Sequence, residues 1–364
     1  MTALNRQVIE AALQQYVDPY LNQDLVSAGM VTDIRIDGSS VDLMITLGYP
    51  CAGVKDLLVA ALTPLVQGVD GVTSVVVNVA QRIAAHPSSA GQQALSGVKN
   101  VIAVASGKGG VGKSTTTVNL ALAMAAEGAK VGILDADIYG PSQGLMLGVP
   151  AGQRPQPYDE KHFSPIEALG LQTMSMAYLI DEDQPMVWRG PMAGGALQQL
   201  LTQTHWDELD YLFIDMPPGT GDVHLTLSQK AAIAGSVIVT TPQDIALLDA
   251  KKGIEMFRKV DIPILGVVEN MSLHTCSNCG HTEHVFGAGG GERIAADYQT
   301  RLLGALPLSL EIRQQADSGK PTVVAEPASD ITAIYKDIAR SVAAELALAN
   351  KQGDAIPTFS VQND

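Results

Sequence analysis

The sequence predicts an α/β protein, a mostly parallel sheet with helices on both faces, preceded by a small α+β domain. Three observations carry this. From residue 99 onward, short β-branched runs alternate with helix-length stretches; the chain is 46% hydrophobic but only 4% aromatic; and the strands before residue 86 alternate polar with apolar residues. Cores of Val, Ile, Leu and Ala suit parallel strands buried on both faces, whereas alternation marks a strand with one wet face. A chain of 364 residues also exceeds what one core usually organises, so two domains are expected.

In order along the chain, residues 1–85 read as the small α+β domain. It has an amphipathic helix near 5–16, a strand "VTDIRIDG", a strand "SVDLMITLG", a helix after Cys51 and a strand "VTSVVVNVA". Residues 86–98 fall in "AAHPSSAGQQALSGVKN", rich in Ser, Gly, Gln and Ala, and read as a linker. Residues 99–350 hold the runs "VIAVAS", "VGILDAD", "LQTMSM", "YLFIDMP", "SVIVTTP", "ILGVVEN" and "LLGALPL", separated by helical segments. Residues 351–364 lack periodicity and are expected to be a disordered tail.

The first run of the larger domain leads into "GKGGVGKST", residues 107–115. Gly107, Gly109 and Gly112 satisfy the dinucleotide fingerprint G-x-G-x-x-G, and Gly107 with Gly112, Lys113 and Ser114 satisfies the phosphate loop G-x-x-x-x-G-K-[ST]. Asp135 or Asp137 would serve the first as its ribose-binding acid. Only the second uses Lys113, for the β and γ phosphates, and the Ser114 hydroxyl, for magnesium. The run "YLFIDMPPGTGD" also places Asp215 at a strand end, where a magnesium-associated carboxylate belongs. The fold class is therefore a P-loop NTPase.

The charge balance is 23 Lys+Arg against 38 Asp+Glu, a net of −15, which disfavours nucleic acid and anionic lipid as partners. No run approaches the roughly 20 apolar residues of a membrane span, and the amino end reads as a helix instead of a signal peptide, so a cytoplasmic location is expected. Of the three cysteines, Cys276 and Cys279 form a C-x-x-C, which in a reducing compartment points to a metal or redox site. Zinc held with His281 and His284 is one reading, although four ligands within nine residues are closer than zinc spacings usually run. A redox dithiol is another. A third is an iron-sulfur cubane, which wants four thiolates, so two copies of the chain would supply them.

"KGGVGKST", with its additional Lys108, resembles the deviant Walker A loop of the MinD-type ATPases, and "LDADIYGPS" and "DMPPGTGD" resemble their two switch segments. Together with "VWRGPM", "ENMSLHTCSNCG" and "VFGAGGGERIA", these motifs resemble the Mrp/ApbC family of iron-sulfur cluster carrier ATPases over residues 99 to about 345. The amino-terminal unit is similar to the small domain, related to iron-sulfur assembly proteins, that such carriers often have. Cys51 lies where those domains can have a cysteine; an ordinary buried small residue is the other reading.

The resemblance implies ATP and magnesium as ligands, bound by Gly107, Lys108, Gly109, Gly110, Val111, Gly112, Lys113, Ser114 and Thr115, with Ser114, Asp135 and Asp215 on the metal. It implies that Lys108 reaches the partner's ATP across a homodimer, and that Lys113 and Asp137 join it in catalysis, Asp137 positioning the attacking water. The division of roles between Asp135 and Asp137 stays open. Asn270 resembles an asparagine that hydrogen-bonds adenine, with a turn residue as its alternative. Cys276 and Cys279 would hold a 4Fe-4S cluster bridging two chains, to be passed from assembly scaffolds to apo iron-sulfur proteins. The rival function is a MinD/ParA-like positioning ATPase, which needs a basic face or basic terminal helix that the sequence does not display. A metabolic kinase or ligase is a third reading.

Overall fold

The structure, a computed structural model, describes residues 4–87, 94–179 and 190–354. It divides into two compact units, Met1–Pro87 with Ala343–Asp364, and Ser88–Val342.

In the first unit, Asn5 caps the helix Arg6–Leu13 by accepting the Val8 N–H at 3.1 Å. The strands Val31–Asp37 and Ser40–Leu47 pair antiparallel. The second of them continues through the helix Lys55–Gln67 into Ser74–Gln81, with which it pairs parallel. Its alternation buries Val41, Leu43, Ile45 and Leu47 completely and leaves Met44 exposed. Beside this core the Tyr49 hydroxyl donates to Asp18 Oδ2 at 2.7 Å, and buried Cys51 donates its backbone N–H to Gln81 Oε1 at 3.1 Å. The helix Asp330–Asp354 contributes its end to this unit, where Lys351 Nζ donates to the carbonyls of Ala28 and Gly29. Lys351–Asp354, expected at the start of a disordered tail, are therefore helical; residues 355–364 lie outside the described residues.

The second unit is built on an eight-stranded sheet. Its strands lie in the order Leu302–Ala305, Ile264–Glu269, Ile233–Thr240, Val98–Ala105, Leu209–Asp215, Val131–Asp135, Leu171–Ser175 and Ile166–Ala168. The first seven are parallel and correspond to the seven apolar runs; the last is antiparallel. The sequence reading lacked that edge strand. It folds back through Leu169 and Gly170, both at positive φ, which is a two-residue hairpin signal inside "EALGLQ".

The central strands of the sheet are largely apolar, as strands covered by helices are, and every residue of Ile233–Thr240 is buried. The strand order reverses about Val98–Ala105, whose chain successor Val131–Asp135 lies beyond Leu209–Asp215. Ligands of open parallel sheets bind outside the carboxyl ends of strands at such a reversal. The residues that follow Ala105, Asp135 and Asp215 meet there.

Candidate functional site

The loop after Ala105 runs from Ser106 to the helix Lys113–Ala126. Two of its glycines are dictated by space. A Cβ on Gly107 would lie 2.0 Å from the Asp249 carbonyl, and one on Gly112, at φ 81°, would lie 2.2 Å from Asn270 Nδ2. The loop is thus pressed against neighbouring chain while its outer residues, Lys108, Gly109 and Gly110, stay exposed. A helix amino terminus behind a glycine-rich turn presents backbone N–H groups and a positive dipole end, which is an anion site. Val111, Gly112, Ser114 and Thr115 line the same turn, and the Ser106 hydroxyl closes it on the Lys108 carbonyl at 2.9 Å.

Behind the loop the parallel register sets Asp215 directly opposite Asp135 on adjacent strands, both fully buried. Burial and the neighbouring Asp215 push the Asp135 carboxyl up to about 7. Three backbone N–H groups oppose that shift: Asp137 donates to Oδ1, and Ser142 and Gln143 donate to Oδ2 at 2.9 and 3.0 Å. Asp215 pairs with Lys113, whose ammonium also contacts the Ser114 hydroxyl at 3.0 Å. A cation therefore sits between Ser114 and Asp215, two of the residues expected to attend magnesium, so this donor set fits a metal ion. Asp137 is half-buried, and burial raises its carboxyl against the pull of Lys113. Lys108 is exposed, with no side-chain partner among the described residues.

Three further residues belong to this centre and were absent from the sequence reading. The Thr117 hydroxyl donates to the Lys113 carbonyl at 2.9 Å and lies 3.2 Å from Asp215 Oδ1; it stands four residues after Lys113, on the same helix face, so helical spacing was a usable signal. Gln143, in "YGPSQG", donates to Asp215 Oδ2 at 2.8 Å and to the Ser114 carbonyl at 3.1 Å. His224 is buried after the second switch segment, neither ring nitrogen having a hydrogen-bond partner among the described residues. Burial, with Lys113 nearby, lowers its pKa to about 4, so the ring is neutral. Local sequence carries no signal for the place of either Gln143 or His224 in this centre.

Asn270 is not an isolated turn residue. It ends the strand Ile264–Glu269 and donates Nδ2 to the Val111 carbonyl at 2.9 Å, which fastens it to the phosphate loop. Beside it opens a cavity of about 490 Å³, lined among others by Gly112, Thr115, Met271, Pro307 and Arg313. Beyond Asn270 the chain makes a small hairpin, His274–Thr275 against Thr282–Glu283, with both cysteines in its turn. Cys276 donates its N–H to the His281 carbonyl, and Gly280, at φ 71°, donates to the Cys276 carbonyl. The backbone N–H groups of Asn278 and Cys279 point at the Cys276 sulfur and lower its pKa, a turn that favours thiolate. His284 Nδ1 donates to the Ser272 carbonyl at 2.7 Å, so this exposed ring is a tether of the hairpin. Among the described residues no three His, Cys, Asp or Glu side chains gather as metal ligands. Of "VWRGPM", residues 187–189 lie outside the described residues and Gly190 opens a helix.

Residues 97–343 match the NUBPL iron-transfer P-loop NTPase family. The chain belongs to that family. Residues 6–79 match a second family, described as iron-sulfur cluster assembly protein. An iron-sulfur cluster carrier protein of Pseudomonas fragi is 64% identical over 274 residues, 75% of this chain and 96% of that one. One of Haemophilus influenzae is 48% identical over 359 residues, 98% of this chain and 96% of its own. Among solved structures, a nucleotide-binding protein of Archaeoglobus fulgidus in complex with ADP is 37% identical, with a TM-score of 0.56 over 65% of this chain and 91% of that one. The cell division ATPase MinD of Pyrococcus furiosus, at 22% identity and a TM-score of 0.51 over 67% of this chain and 98% of that one, shares the fold. The resemblance read from the motifs and the P-loop fold class are thus borne out. No helix among the described residues of this P-loop NTPase is long and apolar enough to cross a membrane.

Proposed function

We propose that the protein is an ATP-hydrolysing iron-sulfur cluster carrier that holds a 4Fe-4S cluster at a homodimer interface and passes it to apo iron-sulfur proteins. The observation that carries this reading is the presence, in one unit, of a complete P-loop site and of a C-x-x-C turn that favours thiolate at Cys276. The names of the relatives support the cargo. The thiolate count supports the dimer: one turn supplies two of the four ligands a cubane takes, and a two-fold partner supplies the others.

In this reading the loop N–H groups from Gly107 to Thr115 cradle the phosphates of ATP. Lys113 leaves Asp215 for the β and γ phosphates. Ser114, Asp135 and Asp215 attend the magnesium ion, which neutralises phosphate charge. Asp137, exposed enough to reach solvent, orients the attacking water, and Lys108 supplies a cation to the partner's nucleotide, where charge builds on the γ-phosphoryl oxygens. The cavity beside Asn270 takes the adenine base. Residues 1–85 act as the assembly-related domain and 99–350 as the ATPase, joined by the linker 86–98, in a cytoplasmic protein whose partners are scaffolds and apoproteins, with no nucleic acid or membrane.

Anaerobic reconstitution, with iron, sulfide and oligomeric mass measured per chain beside ATP turnover, tests the proposal. The expected result is a dimer with one 4Fe-4S cluster per two chains. A monomer carrying a complete cluster, or zinc in its place, overturns it.

A further inference from the structure

Gln143 is fully buried, and three separate segments converge on it. Its backbone N–H is donated to Asp135, and its Nε2 is donated both to Asp215 Oδ2, at 2.8 Å, and to the phosphate-loop carbonyl of Ser114, at 3.1 Å. Because both neighbours of Nε2 are acceptors, the orientation of the carboxamide is decided: the reverse would set Oε1 against a carboxylate and a carbonyl. Oε1, bonded through the same carbon, is then buried in the acidic centre with no hydrogen-bond partner among the described residues. Buried amide oxygens are rarely left so, and each one calls for a reason.

We propose that Gln143 is a positioning residue of the magnesium-nucleotide site, its Nε2 holding Asp215 to the phosphate loop and its Oε1 accepting a hydrogen bond from a water of the ion's hydration shell. The inference rests on the nucleotide reading given above. Magnesium gives up its water reluctantly and keeps several molecules of it when bound to protein, so the ion would bring a donor to the Gln143 amide oxygen, which has none among the described residues. The exchange also explains the Nε2 contacts. When Lys113 turns to the phosphates, Asp215 loses its strongest partner on Oδ1, and the bond from Gln143 to Oδ2 keeps the carboxylate in place. Residues of this kind, which orient groups around a metal without binding it, typically change metal affinity by about 10- to 100-fold when replaced.

The test uses the full chain and a fluorescent ADP analogue titrated with and without magnesium. Gln143→Met keeps the volume and removes both polar atoms. Measured against the same variant's affinity without magnesium, the magnesium concentration that half-saturates the magnesium-dependent gain should rise about tenfold over the parent's. Gln143→Leu likewise removes both polar atoms and should raise the magnesium requirement alike; this second variant covers the case in which the methionine variant does not fold. A methionine or leucine variant with the parent's magnesium dependence overturns the proposal. Failure of the parent chain to bind the analogue at all overturns the nucleotide reading instead.

Discussion

Lys113 and Asp215 form a buried ion pair, and the same ammonium touches the Ser114 hydroxyl, so the lysine occupies the position between two of the three groups that would attend magnesium. A nucleotide must therefore compete with Asp215 for this lysine. Removing one partner of a buried pair typically costs about 3–5 kcal/mol, because the other charge is left uncompensated. Lys113→Ala should accordingly abolish ATP turnover and lower stability by about 3 kcal/mol in urea unfolding. Adding Asp215→Asn should recover much of the stability and none of the turnover. Turnover retained by the single variant would sink the assignment of Lys113 to the phosphates.

Among the described residues Lys108 has no side-chain partner, and it is exposed on the outer turn of the loop. Lys108→Ala should keep stability within about 0.5 kcal/mol of the parent, as exposed substitutions do, and bind ATP while hydrolysing it poorly. Heterodimers that combine it with a Lys113→Ala subunit should regain turnover at one of their two sites. Inactive heterodimers of proven composition would remove the support for action across the interface.

Cys276 lies on the hairpin turn, outside both cores. Cys276→Ala or Cys279→Ala should lose iron and sulfide to background in reconstituted protein and lose cluster transfer, with ATP affinity unchanged. A double variant that still transfers a cluster would reassign the cargo site.

His224 is neutral and buried at pH 7, and its folded pKa, about 4, lies below the ordinary 6.5. Between these values the unfolded chain binds the proton and the folded one does not, so stability is retained above about 6.5 and lost as pH falls toward 4. The loss between pH 7 and pH 5 amounts to about 2 kcal/mol. Asp135, raised to about 7 by burial and Asp215, acts in the opposite sense over the same range, losing stability as pH rises. The difference between parent and His224→Leu in urea unfolding at the two pH values isolates the histidine. Equal pH dependence in both proteins would show that the ring is protonated without cost.

The parallel sheet and the phosphate loop were legible because both depend on local pattern: apolar runs at strand length, and glycines whose spacing a backbone turn demands. Asp215 was legible from its strand end. Gln143 and His224 were not, since their roles arise where the register sets Asp135 beside Asp215 and where a helix packs over the switch segment. Asn270 shows the boundary case. Its place at a strand end was readable, but its bond to Val111 depends on a glycine 158 positions away leaving room for the amide. The edge strand Ile166–Ala168 was missed because its three residues are too short to display a period.

That bond from Asn270 to Val111 carries a mechanical consequence. Asn270 grips the phosphate loop, Ser272 is pinned to the Leu306 carbonyl by its backbone and its hydroxyl, and the carbonyl of Ser272 receives His284 from the far arm of the cysteine hairpin. Phosphate loop and thiolate turn are thus the two ends of a short, stiff strap. With so few torsions between them, a shift of Val111 on filling or emptying the loop would have a continuous bonded path to the hairpin's root, as a turn of the wrist has to the fingertips.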